Sequence, residues 1–278
     1  MNESLASVLT ALGDDELVLG HRHSEWTGYA PHLEEDVAFA SIAQDEIGHA
    51  TAYYTLLAKE SGGNPDVIAL GRDKSEYRHA VICERPNREW AYTLARHWLY
   101  DMADDIRLEA LEACSHEDLA SLARKIRREE RYHLIHADTW TARVARGPVE
   151  GRRKLMDAVG EALPDALGIF EPVELEETAV KEGLWPTPSD ELRRRFLDRA
   201  GAKLDELGLP TEIHAHVVQD AEFVASSSGD LIEDRQSETP GGSASNDHGG
   251  RRGRHTPDFD RLWEDMTGQY RAHPGATW

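Results

Sequence analysis

A chain of 278 residues, 40% of them hydrophobic and 30% charged, is long enough for one large domain or a core domain with extensions. Its net charge of −21 excludes general nucleic-acid binding, which needs clustered Lys and Arg, and no apolar run approaches the roughly 20 residues that span a bilayer. Two cysteines, Cys83 and Cys114, lie far apart in no CxxC arrangement, and the N-terminus lacks the basic start and cleavage site of a secretory leader, so a cytoplasmic location is expected.

Helical periodicity dominates from Leu5 to about Arg146. The first predicted helix runs from Leu5 to Trp26, with Leu5, Val8, Leu12, Leu19 and His23 on one stripe, and ends near Gly28. A second runs from Leu33 to Glu60 on the stripe Phe39, Ile42, Ala43, Ala50, Tyr53 and Leu57, and stops at Ser61-Gly62-Gly63-Asn64-Pro65. Residues 66–86 read as a connection with one short helix. The third long helix is expected from an Asn87 cap to Ala113, and the fourth from a Ser115 cap to Arg146, before Gly147-Pro148. Two long hairpins joined by a longer connection predict an all-α, four-helix bundle with one crossover, the ferritin-like arrangement.

Shorter helices follow at Arg152 to Gly168, expected on the outside of the bundle, and at Ser189 to Leu207. The bundle and its flanking helices are expected over residues 1–224. Residues 225–256, rich in Ser, Gly and Asp, read as a flexible linker. The tail 257–278 regains Phe259, Leu262, Trp263, Met266 and Tyr270 at helical spacing and is expected to dock on the bundle or on a partner.

Glu-x-x-His occurs twice, as Glu46-Ile47-Gly48-His49 and Glu130-Arg131-Tyr132-His133. Residues i and i+3 share a helix face, and in both cases that face is the apolar stripe: Phe39, Ile42, Glu46, His49, Tyr53 in one helix and Leu122, Ile126, Glu130, His133, Ala137 in the other. A carboxylate and an imidazole facing a core need a partner, and a metal ion is one. Each pair also has an acid on the preceding helix, Glu16 upstream of Glu46 by 30 residues and Asp101 upstream of Glu130 by 29. The two pairs are 84 residues apart and the two acids 85, as an internal duplication of a ligand-bearing hairpin would leave them. One acid from each of two helices plus Glu-x-x-His from each of the other two gives four carboxylates and two imidazoles, a set suited to two iron or manganese ions.

Blander readings exist for each element of this set. A lone Glu-x-x-His is common on helices, Glu16 adjoins the acids Asp14 and Asp15, and Asp104 or Asp105 competes with Asp101 for the inward position. His23 is expected to be a hydrogen-bonded core histidine, while His21, His116 and His136 are expected to be exposed. Tyr53, Tyr54, Trp98 and Trp140 read as core and pocket walls, and Arg127 to Arg131 as a solvated face around Glu130. No phosphate loop, nucleophile elbow or Ser/His/Asp arrangement stands out.

Several stretches carry a family resemblance: Leu17-Val18-Leu19, Ser24-Glu25-Trp26-Thr27-Gly28-Tyr29-Ala30-Pro31, Leu33-Glu34, Glu84-Arg85-Pro86-Asn87, Glu129 to Leu134, the run Gly-Arg-Arg-Gly-Arg-His-Thr ending at Thr256, and Trp278. Together they resemble the ferritin-like subunits of the di-iron oxygenase that epoxidises phenylacetyl-CoA, its C-type subunit in particular. The resemblance spans nearly the whole chain except about 225–249. It implies a stable complex with a catalytic A-type subunit, and a separate reductase that delivers electrons from NADPH through flavin and an iron–sulfur centre. The net reaction it implies inserts one oxygen atom of dioxygen into the phenylacetyl-CoA ring. C-type subunits of that family typically have an eroded ligand set and act as scaffold, whereas Glu16, Glu46, His49, Asp101, Glu130 and His133 are all capable ligands. Three readings follow: a di-iron-competent subunit of the oxygenase, a metal-free scaffold in the same complex, and a stand-alone ferritin- or rubrerythrin-like iron protein. The long extension and docking tail disfavour the last.

Overall fold

Helix α1 (Glu3–Ser24) starts where Asn2 accepts a hydrogen bond from the Leu5 amide at 3.1 Å, and α2 (Leu33–Ser61) stops where Gly62 turns left-handed at φ 73°. The computed structural model describes residues 2–209, 249–273 and 276, and no strand occurs among them. The connection after α2 holds α3 (Pro65–Leu70), a single 3₁₀ turn (Lys74–Glu76) and α4 (Val81–Glu84), and leads to the second long hairpin, α5 (Trp90–Leu111) and α6 (Glu117–Ala145). The predicted four-helix, ferritin-like bundle with one crossover is thus present, and no described helix is long and apolar enough to cross a membrane.

Two predicted caps are replaced. Asn87 turns its side chain onto the Arg22 carbonyl and the Arg96 guanidinium, so α5 begins after Glu89 without a side-chain cap. Ser115 donates to the Glu182 carbonyl at 2.8 Å, and His116 caps α6 by accepting from the Leu119 amide. Both residues found longer-range partners that a local pattern does not contain.

Beyond α6, α7 (Val149–Leu167) lays Leu155, Val159, Ala162 and Leu163 against the bundle, chiefly on α5. After α8 (Glu176–Lys181), α9 (Ser189–Glu206) also lies on α5. The tail helix α10 (Pro257–Ala272) buries Phe259, Leu262 and Met266 and packs on α1, α3 and α4. With both flanks covered, α1 and α5 are buried almost all round and can carry polar residues into the interior. Helices α2 and α6 keep an outer face, on which Val37, Tyr132 and Ile135 are exposed.

Of the span 225–256 expected to be a linker, 225–248 lie outside the described residues, as does Trp278. Residues 249–256 pack against the protein. A Cβ added to Gly250 would stand 2.3 Å from the His79 carbonyl oxygen, so only glycine allows this approach. Arg251 is buried and donates to Asp15 at 2.9 and 2.7 Å and to the carbonyls of Ala11, Arg78 and Ile169. A stretch of sequence that reads as solvated is therefore pinned by one buried guanidinium.

Candidate metal centre

The centre begins with close helix packing. Gly20 on α1 faces α2 so tightly that a Cβ there would lie 3.0 Å from the Glu46 Cβ, which brings the first Glu-x-x-His against the α1 acid. One ligand atom from each of Glu16, Glu46, His49 and Glu130 falls within 4.8 Å of the others, all four side chains being buried. His49 Nδ1 is 3.4 Å from Glu16 and 3.1 Å from Glu130. His133 Nδ1 is 3.1 Å from the same Glu130 oxygen and 3.9 Å from Glu46.

Five of the six predicted residues are therefore gathered at one point. Asp101 is buried beside them but outside the tight group, with Oδ2 3.1 Å from His97 Nδ1. Its competitors are engaged elsewhere. Asp104 accepts from Arg107 at 2.6 Å, and half-buried Asp105 accepts from Arg127 and Arg199.

The donor set fits metal ions because so many of its atoms lack a well-aligned partner. Nine buried polar atoms of the six residues make no well-aligned hydrogen bond, including both oxygens of Glu46, Asp101 and Glu130 and the Nδ1 of both histidines, which only abut Glu130 at 3.1 Å. Buried polar atoms are normally satisfied, so such a concentration marks a place where another charge belongs. The outward nitrogens are satisfied. His49 Nε2 lies 3.0 Å from Glu129 and His133 Nε2 lies 3.2 Å from Asp45. A carboxylate accepts, so each Nε2 carries the proton and each Nδ1 is turned inward, the arrangement that orients imidazole ligands. The exchange is reciprocal: the acid before each Glu-x-x-His holds the histidine of the other helix.

Without metal the centre balances its charge with protons. Burial, then the charges of Glu16 and Glu130, push the Glu46 carboxyl well above its ordinary value, and burial with Glu130 does the same to Asp101. Burial opposes charge on His49 and His133, but contact with the carboxylates overrides it, raising His49 to about 11 and His133 to about 10. Glu130, between the two imidazoles, is held below the usual carboxylate range against the cost of burial.

Several residues around the centre escaped the sequence reading. Tyr100 donates to Glu16 at 3.0 Å and is itself held by Arg107, which also binds Asp15 at 2.5 Å. His97 packs edge-on to His23 and lies 3.3 Å from His136, which in turn reaches Glu35 at 3.0 Å. The expectation that His136 is exposed is thus corrected: it is half-buried and bonded, and His21 and His116 are half-buried too. His23 is also not the hydrogen-bonded histidine expected. Neither ring nitrogen has a partner, Nδ1 stands 4.0 Å from Glu46, and burial holds the ring neutral. Glu129 and Arg127, read as part of a solvated face, are drawn inward by His49 and by Asp105. The signal for Asp45 and Glu129 was an acid before each Glu-x-x-His; for His97 there was none. Tyr53, Tyr54 and Trp98 are core residues as expected, and half-buried Trp140 donates to Glu35 at 2.7 Å.

A family model described as phenylacetic acid catabolic protein matches residues 1–223. The C-type subunit of the 1,2-phenylacetyl-CoA epoxidase of Escherichia coli (strain K12) is 31% identical over 189 residues, covering 68% of this chain and 76% of that relative. The A-type subunit of the same bacterium's epoxidase is 26% identical over 202 residues, covering 68% of this chain and 65% of its own length, just under two thirds.

Proposed function

The chain belongs to the phenylacetic acid catabolic protein family, and from that premise we propose that it is the C-type subunit of a cytoplasmic phenylacetyl-CoA epoxidase that carries a di-iron-competent centre of its own. The observation that carries the second half of this reading is the cluster of Glu16, Glu46, His49 and Glu130 with its unsatisfied inward atoms. Two irons would be held by these four together with Asp101 and His133. Bound there, iron would supply the redox chemistry by which dioxygen is activated. The chain's own residues prepare the place. Asp45 and Glu129 fix the imidazole orientation, Tyr100 fixes Glu16, and Phe39 and Trp98 are buried in the same interior.

The partners in this reading are an A-type subunit, the reductase that passes electrons from NADPH, and phenylacetyl-CoA as substrate. The test is reconstitution. Full-length chain mixed with an A-type subunit should co-elute as one complex and, with reductase and NADPH, consume oxygen only when phenylacetyl-CoA is present. No complex and no substrate-dependent oxygen uptake would sink it.

A second reading, the metal-free scaffold, is favoured by one observation. The raised carboxyls of Glu46 and Asp101 and the raised imidazoles of His49 and His133 let protons alone balance the centre. In that case the chain would support the A-type subunit equally well with Glu46 and Glu130 replaced.

A further inference from the structure

The structure holds a second convergence of metal-ligating side chains, sharing no residue with the carboxylate-rich centre. His79 and Glu84 lie on the crossover around α4, and His255 lies on the arm that leads into α10. One ligand atom of each falls within 4.8 Å of the others. His79 Nε2 is 2.7 Å and His255 Nδ1 is 2.9 Å from the same oxygen, Glu84 Oε2. All three side chains are closed off from solvent, His255 being the most accessible at 6%.

The protons of this cluster can be assigned from what each group faces. His255 Nε2 lies 3.1 Å from the Tyr77 carbonyl oxygen, which only accepts, so this nitrogen carries a hydrogen. Between His255 Nδ1 and the carboxylate oxygen at 2.9 Å a positive charge belongs, either a proton or a metal ion. The other carboxylate oxygen, Glu84 Oε1, accepts from the Thr256 amide at 2.6 Å, which favours the ionised carboxylate. The two imidazoles are stacked at 4.2 Å and 14° while both reach Glu84 Oε2, so one ring must tilt for the two nitrogens to point at a single ion.

We propose that His79, Glu84 and His255 form a metal site for a zinc-class divalent ion, which fastens the C-terminal arm to the bundle crossover. Two imidazoles and one carboxylate are a usual protein set for zinc, with water as fourth ligand. The supporting contacts are those of a ligating site: a ring N–H given to a backbone carbonyl, and the ligating carboxylate steadied by a backbone amide. Zinc bonds of about 2.0–2.1 Å in a tetrahedron separate ligand atoms by roughly 3.3 Å, so the present contacts open by about half an ångström on binding. Tyr77 and Phe259 wall the site, with the Phe259 ring 4.4 Å from His79 and 4.8 Å from His255. On binding, the ion takes the place of the proton between His255 and Glu84, and His79 moves the hydrogen it points at Glu84 from Nε2 to Nδ1, so binding free energy becomes free energy of docking the arm on the crossover. This inference does not rest on the proposed oxygenase role.

The experiment uses the full-length chain, stripped with chelator and titrated with zinc, with bound metal counted by mass spectrometry and calorimetry. Wild type is compared with His79→Gln, which leaves the Glu84–His255 pair intact, and both are repeated in a Glu46→Ala, Glu130→Ala background to silence the other centre. The expected result is about one zinc per chain in that background, lost on His79→Gln. Zinc should also slow protease cleavage of the arm in the parent but not in His79→Gln. If the silenced background does not fold, the wild type should still exceed His79→Gln by about one zinc. Equal zinc content with and without His79, or no zinc in a folded silenced background, would overturn the proposal and leave the cluster a proton-held latch.

Discussion

His49 and His133 each face two ways: Nδ1 looks into a cluster of carboxylates, and Nε2 donates outward to an acid on the opposite helix. Glu129 and Asp45 are partly exposed, so removing either carboxylate should leave the fold intact while freeing the ring it holds. Asp45→Asn is expected to weaken metal binding by about 10–100-fold with unchanged helical content, read by chelator competition. An unchanged affinity would show that the ring is oriented by packing alone. The protons on the centre give a second expectation at this scale. His49 and His133 are raised to about 11 and 10, and Glu46 and Asp101 are raised above the carboxylate range. Metal must therefore displace protons, and its affinity should climb with pH across the neutral range. Calorimetry in buffers of different ionisation heat should reveal proton release; heats independent of the buffer would contradict this charge state.

Among the elements, the covered helices α1 and α5 supply the acids, and the half-exposed helices α2 and α6 supply the Glu-x-x-His pairs. The arm adds Arg251, whose guanidinium shares Asp15 with Arg107 one residue from Glu16. Removing one partner of a buried ion pair costs about 3–5 kcal/mol, so Arg251→Ala should lower the urea midpoint accordingly while the denaturant slope stays near wild type. Burial raises the Asp15 carboxyl, but Arg251 and Arg107 more than offset it and hold it below its ordinary value. Its contribution to stability is therefore present above the unfolded value of about 3.9 and lost as pH falls through the depressed folded value. Arg251→Ala should move acid unfolding to higher pH.

Legibility followed the range of the interactions. The long helices and the two Glu-x-x-His pairs were readable because residues three and four apart already share a face. The docking of α10 was readable from Phe259, Leu262 and Met266. Arg251 was not, since a Gly- and Arg-rich run looks solvated until Asp15 is brought to it from 236 residues away. Asn87 and Ser115 misled as caps for the same reason; His23 was placed in the core by its stripe but not without a hydrogen-bond partner, and His97 left no local trace.

For the molecule as a whole, the balance lies between a chain of net charge −21 and an interior where four carboxylates meet two imidazoles. Such a core is costly unless something satisfies it, and flanking helices on α1 and α5 spend apolar surface to keep it covered. The repeated ligand spacing, the helical bundle and the membership of the phenylacetic acid catabolic protein family all accord with the proposed role. The claim specific to this chain is that its centre takes metal. The most direct test is iron content of the anaerobically reconstituted full-length chain, beside a Glu46→Ala, Glu130→Ala variant. The account predicts about two irons per chain, lost in a variant that remains helical. A wild-type chain that stays iron-free while folding as well as the variant would contradict it and leave the six residues as a proton-balanced scaffold.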